Sequence, residues 1–141
     1  MKYPRSPHEK VGGIFYFGRM LDKIRLKAGG ELHPDLHQNL GIGFDKRCAD
    51  FLRISYEDLA KRVAEGLGDA EALEWCFSAG RKPSDEEVYI WNEFMRKRGW
   101  NDEATETLQR RKEQSGFRDR DDVKTMFDYI DADEGRAVRS G

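Results

Sequence analysis

His33 and His37 stand four residues apart, the spacing at which two imidazoles share one face of a helix and can hold a metal. Pro34 works against that arrangement. Proline prefers the first helical position, which leaves His33 outside as a cap and His37 alone inside. A metal needs three or four ligands, and Asp35 and Asp45 complete no recognisable set, so neither a metal nor another cofactor is expected. Free imidazoles titrate near neutrality, which makes His37, with Asp45, a candidate for proton transfer.

The same stretch continues into Gly41-Ile42-Gly43-Phe44-Asp45-Lys46-Arg47. Two glycines before a helix start expose backbone N–H groups that can hold an anion, with Arg47 adding charge. A dinucleotide loop would need a preceding strand and a third glycine, and a phosphate loop a Gly-Lys-Ser/Thr ending; both are missing. Upstream, Arg19 and Asp22 are spaced to form a surface ion pair. If Phe15 and Leu26 draw that face inward, Arg19 and Asp22 border a pocket instead. One functional reading follows: an enzyme or binder acting on a small anionic molecule, held by Arg19, Asp22 and Arg47, with His37 and Asp45 moving protons.

A different reading rests on apolar residues outside the single stripes. Phe15 and Leu26 lie opposite the main face of their helix, Trp75 projects from its own, and Trp100 follows a helix-ending glycine. Exposed aromatics anchor partners, so these four residues suggest a protein-interaction or self-association module, contacting itself or another protein. This is the favoured reading. A third is nucleic-acid binding through Lys97–Trp100 and Arg110–Lys112. Acidic residues flank both runs, and 25 basic against 27 acidic residues give a net charge of −2, which disfavours nucleic acid as a partner. Asp128, Asp131, Asp133 and Glu134 fail the spacing of a calcium loop. Cys48 and Cys76 lie in apolar helical patterns as core residues, and no serine sits in a Gly-x-Ser-x-Gly turn.

Helices must position these groups. The expected fold is all-α, an irregular bundle of about seven short helices in a single domain over residues 1–141. An extended N-terminal arm covers 1–13 and a flexible tail 135–141. Phe17, Met20, Leu21 and Ile24 mark a first helix from Phe15 to Ala28, ended by Gly29-Gly30. A short helix follows around Phe44–Leu52. Ser55 and Ser84 open two more, the latter with Glu87 as a capping box, and Asp69 caps one between them. Asn101 begins another, and the last runs from Arg120 to Asp131. No segment alternates with a period of two, so strands are not expected.

Aromatic residues make up 11% and apolar residues 38%, enough to build a core, and 141 residues need no disulfide or metal staple. No leader pattern and no apolar run of membrane-spanning length is present, so no membrane contact and a cytoplasmic location are expected. Several strings taken together resemble a small bacterial family known only as a domain of unknown function. They are Tyr3-Pro4-Arg5-Ser6-Pro7, Gly18-Arg19-Met20-Leu21-Asp22, Gly41-Ile42-Gly43-Phe44-Asp45, Glu74-Trp75-Cys76-Phe77, Lys97-Arg98-Gly99-Trp100 and Asp131-Ala132-Asp133-Glu134-Gly135-Arg136. The resemblance spans nearly the whole chain and implies a stand-alone domain, but no activity or functional residue comes with it.

Overall fold

The computed structural model describes residues 1–139, and among them are seven α-helices, one 3₁₀ helix and a two-stranded hairpin. The hairpin corrects the expectation of no strands. Gly12 and Gly13 both take positive φ and turn β1 (Lys10–Val11) back on β2 (Ile14–Phe15). Phe15 therefore belongs to a strand, and α1 (Phe17–Ala28) starts two residues later than its periodicity suggests.

A 3₁₀ helix (Pro34–Asn39) follows, capped by the His33 ring, which accepts from the Asp35 N–H as Pro34 occupies the first position. Next come α2 (Phe44–Leu52), α3 (Tyr56–Ala64), α4 (Asp69–Ala79) and α5 (Asp85–Lys97). Ser55 caps α3, and Ser84 and Glu87 form the reciprocal capping box of α5. Asp69 is the first residue of α4 rather than its cap.

The last two helices differ more. Asn101 takes a left-handed φ of 48°, and Asp102 folds the loop by accepting from Gly99 N and Ala104 N, so α6 is Thr105–Gln114. Thr125 and Asp128 make a capping box that fixes the start of α7 (Met126–Asp133), six residues after the expected point.

One contiguous core joins the hairpin to α7. Phe17, Met20 and Leu21 of α1, Leu59 of α3, Met95 of α5 and Phe127 of α7 are almost wholly buried. Each such side chain contributes about 1.5–3 kcal/mol of burial. Cys48 and Cys76 sit in this core as free thiols; burial pushes both up, Cys76 to about 12, which leaves them unreactive.

The N-terminal segment and the last described residues both contact this body. In the N-terminal segment Pro4, Ser6, Pro7 and Val11 are buried, and Lys2 pairs in parallel with Leu32. Gly18 lets it pass, because a Cβ there would meet Arg5 Nη1 at 2.8 Å. At the other end, Arg136 donates to the Pro4 carbonyl, Asp131 and Glu134, and Arg139 pairs with Glu9 at 3.2 Å. Within the segment expected to be a flexible tail, Arg136 and Arg139 make these contacts; residues 140 and 141 lie outside the described residues.

Candidate functional site

Alpha-helical spacing gives α1 three distinct sides. Phe17, Met20, Leu21 and Ile24 enter the core, Gly18, Asp22 and Arg25 turn to the N-terminal segment and α4, and Arg19 and Lys23 point a third way. That third side borders a cleft of about 440 Å³. Tyr16, Arg19 and Lys23 form one wall. Leu36 and Asn39 of the 3₁₀ helix, with Ile42 to Phe44, form the second. Arg111 and Gln114 of α6 and Tyr129, Asp133 and Glu134 of α7 close it.

Behind the wall lies a buried ionic cluster. Asp45, near the start of α2, is fully buried and accepts from the Tyr16 hydroxyl at 2.6 Å, Lys23 Nζ at 2.9 Å and Gly41 N at 3.0 Å. Lys23 Nζ also donates to the Asn39 carbonyl at 3.2 Å. Gly43 makes this possible, since its φ of 59° and ψ of −125° start α2 at the angle that sends Asp45 inward. Beside it, Arg19 donates to both Glu134 oxygens at 2.8 and 2.6 Å, and both side chains are 3% exposed.

Burial pushes the Lys23 ammonium below the usual lysine range, and Asp45 opposes that shift without overcoming it. Burial and the Asp45 carboxylate hold the Tyr16 phenol well above its ordinary value. For Arg19, burial works against the charge, but the Glu134 carboxylate wins and leaves its pKa raised. Burial and the neighbouring Glu134 and Asp35 also raise Asp133 at the opposite wall.

Tyr16 carries backbone strain as well. It is a non-glycine residue at φ 77°, at the joint between β2 and α1, a conformation that costs about 1 kcal/mol or more. Its ring packs edge-on against Phe44, 5.6 Å away, and its hydroxyl is fixed by Asp45. Strain of this kind persists where surrounding contacts over-determine it, often beside sites of function.

The candidates from sequence are distributed unevenly. Arg19 lines the cleft and Asp45 lies directly behind it, joined through Lys23 and Tyr16. Asp22 is on the other side of α1, held by Arg5 at 2.9 Å and Arg25 at 3.5 Å, so the expected Arg19–Asp22 pair does not form. His37 is exposed outside the cleft; its Nε2–H donates to the Leu32 carbonyl at 2.9 Å and closes the turn. Arg47 lies over the Phe94 ring at 5.0 Å, toward α5. No group of three or more histidine, cysteine or acidic side chains with metal-binding geometry occurs among the described residues.

The apolar candidates also separate. Phe15 and Trp75 are half-buried against the core, and Leu26 is half-buried. Trp100 is 60% exposed, next to Tyr89 at 61% and Ile90 at 57% on α5. The basic runs are broken up: Lys112 is buried and donates to the Arg120 and Val123 carbonyls, Lys97 pairs with Glu93, and Arg98 with Asp102.

Sequence reasoning missed Tyr16, Lys23, Asn39, Arg111 and Glu134 as members of this site. The four-residue spacing of Arg19 and Lys23 was a signal for the second of these. Glu134, 115 residues from its partner Arg19, left none.

The family described as "Domain of unknown function (DUF5069)" aligns with residues 1–136, and the chain belongs to it. A comparison with characterised proteins finds no match. No helix among the described residues is long and apolar enough to cross a membrane.

Proposed function

We propose that this member of a family of unknown function takes up a small carboxylate-bearing molecule in the cleft between α1, the 3₁₀ helix, α6 and α7. One observation carries the reading: a lysine and an arginine, each about 3% exposed, line an open cleft while their carboxylate partners lie buried beside them. Desolvating an ion costs several kcal/mol, and replacing such pairs with apolar residues is often neutral or stabilising. Buried ions at a cleft are thus better explained by ligand handling than by stability.

Arg111 is the cation free to meet the ligand's acidic group, since it is exposed at the cleft and has no ion-pair partner among the described residues. Arg19 and Lys23, held by Glu134 and Asp45, give a preorganised wall. The test is a titration with lactate, succinate and benzoate followed by amide chemical shifts. Saturable shifts confined to the cleft residues support the reading, with Arg111→Gln weakening them by about tenfold, one charge-assisted contact. Absence of saturable shifts at the cleft with all three overturns it.

A second reading, self-association, has its own support in the exposed face of α5. Tyr89, Ile90, Phe94 and Trp100 form an apolar surface around Glu93 and Lys97. Two α5 helices packed antiparallel about a two-fold axis would place Glu93 of each copy against Lys97 of the other. Sedimentation of the wild type and Ile90→Glu decides it. A dimer lost in the variant supports this reading, and a wild-type monomer at high concentration removes it.

A further inference from the structure

Lys23 has a feature that carboxylate binding alone does not use. Its side chain lines the cleft, a carboxylate touches its amine, and a phenol touches the same carboxylate. We infer that Lys23 forms a Schiff base with the carbonyl of a 2-oxo acid bound in the cleft, its carboxylate held by Arg111. This rests on the cleft being a ligand site and adds the chemistry performed there.

The geometry supplies each part of the reaction. Asp45 Oδ2, 2.9 Å from Nζ, takes one proton from the ammonium and frees the lone pair. The amine nitrogen then forms a bond to the carbonyl carbon, the carbonyl π pair moves to oxygen, and a second nitrogen proton passes to that oxygen. The carbinolamine hydroxyl receives the proton held on Asp45, its C–O bond breaks, and water leaves. One proton remains on the iminium nitrogen. The balance is one ammonium and one ketone giving one iminium and one water, with no oxidant or reductant. Tyr16, donating to Asp45 Oδ1 at 2.6 Å, is a positioning residue: it fixes the carboxylate so that Oδ2 faces the amine.

Lys23 differs here from an ordinary buried ion-pair lysine. A lysine serving only to neutralise Asp45 has no reason to border a cleft, and a desolvated amine is the form in which lysine acts as a nucleophile. Burial lowers the basicity of Lys23 and so enlarges the fraction present as the free amine at neutral pH. The neighbouring Arg19 stays charged and is hydrogen-bonded to Glu134, which leaves Asp45 Oδ2 to Lys23.

The test is reductive trapping of the full chain with borohydride in the presence of pyruvate, 2-oxobutyrate or 2-oxoglutarate, followed by peptide mapping. The expected result is one reduced adduct on the peptide holding Lys23, in about tenfold excess over any surface lysine. Lys23→Arg keeps the charge opposite Asp45 and removes the nucleophile; it should lose the adduct. Because the longer side chain can destabilise that variant, the wild-type map stands as the primary readout. Adducts spread over surface lysines, or none with any of the three acids, overturn the inference. Lactate shifts at the cleft without an adduct would remove the covalent step and leave the binding site intact, whereas loss of both would remove the cleft reading as well.

Discussion

Two carboxylates, Asp45 packed beside α1 and Asp22 on the helix itself, are each met by a lysine or arginines, yet the two sides are built differently. Asp45 is fully enclosed, with Lys23 4% exposed at its side. Asp22, on the opposite side, shares Arg5 and Arg25 with Asp69, and all four side chains are between about a quarter and a third exposed. The half-exposed network clamps the N-terminal segment to α1 and α4, and water screens it. The enclosed cluster carries a full desolvation cost and holds a strained tyrosine in place. One side of the helix fastens the chain; the other keeps charges at a cleft where they cost stability.

The contrast is sharpest at Asp45. Asp45→Asn keeps the shape and an acceptor for Tyr16 but leaves the Lys23 ammonium with no counter-charge, and it should cost about 3–5 kcal/mol in urea unfolding. A loss under about 1 kcal/mol would erase the distinction, because it would place Asp45 in the same screened regime as Asp22. Adding Lys23→Met to that variant should recover part of the loss, since the uncompensated charge goes with the lysine; a double variant less stable than the single one would contradict a burial penalty centred on Lys23. Tyr16→Phe deletes the short bond to a buried carboxylate and is expected to cost about 1.5–3 kcal/mol, with its near-ultraviolet dichroism otherwise native-like.

The fold was mostly legible from sequence, and the site only in part, for physical reasons that particular residues display. Periodicity and capping are local, so Ser55, Ser84 with Glu87, and the Met20–Ile24 stripe identify their helices directly. The misplaced starts come from side-chain chemistry competing with propensity: Thr125 with Asp128 begins α7, and Asp102 folds a loop where Asn101 is expected to cap a helix. Arg19 and Asp45 were visible because charged groups beside apolar ones, or behind paired glycines, are locally unusual. Glu134 was not, since its meaning depends on a partner 115 residues away, and a run of acids near a chain end reads as solvated. The same long-range closure hides the contacts of Arg136 and Arg139 from a sequence reading: their partners, Pro4 and Glu9, are far away in sequence.

The smallest effect belongs to the exposed side and separates it by its pH response. Arg5 hydrogen bonds hold Asp69 below the usual carboxylate range, and for Asp22 they do so against an opposing push from burial. A carboxyl whose folded pKa lies below its unfolded value of 3.8 contributes stability that is complete above 3.8. That contribution is lost as pH falls through the folded pKa, where the unfolded chain binds the proton first. Arg5→Met removes the largest of the contributions that lower each of the two carboxyls and leaves that of Arg25. At neutral pH it should cost about 1 kcal/mol, discounted for solvent screening, and less in high salt. Glu87, pushed down to about 2 by the Ser84 backbone N–H and Arg81, and Glu93, pushed down to about 2 by Arg96, are the same in both proteins and cancel in the difference. The gap between wild type and variant should therefore stay constant from neutrality to about pH 4 and close below it. A gap that persists into strong acid would mean that Arg5 stabilises the chain by packing its guanidinium over Gly18, with the two carboxylates contributing little.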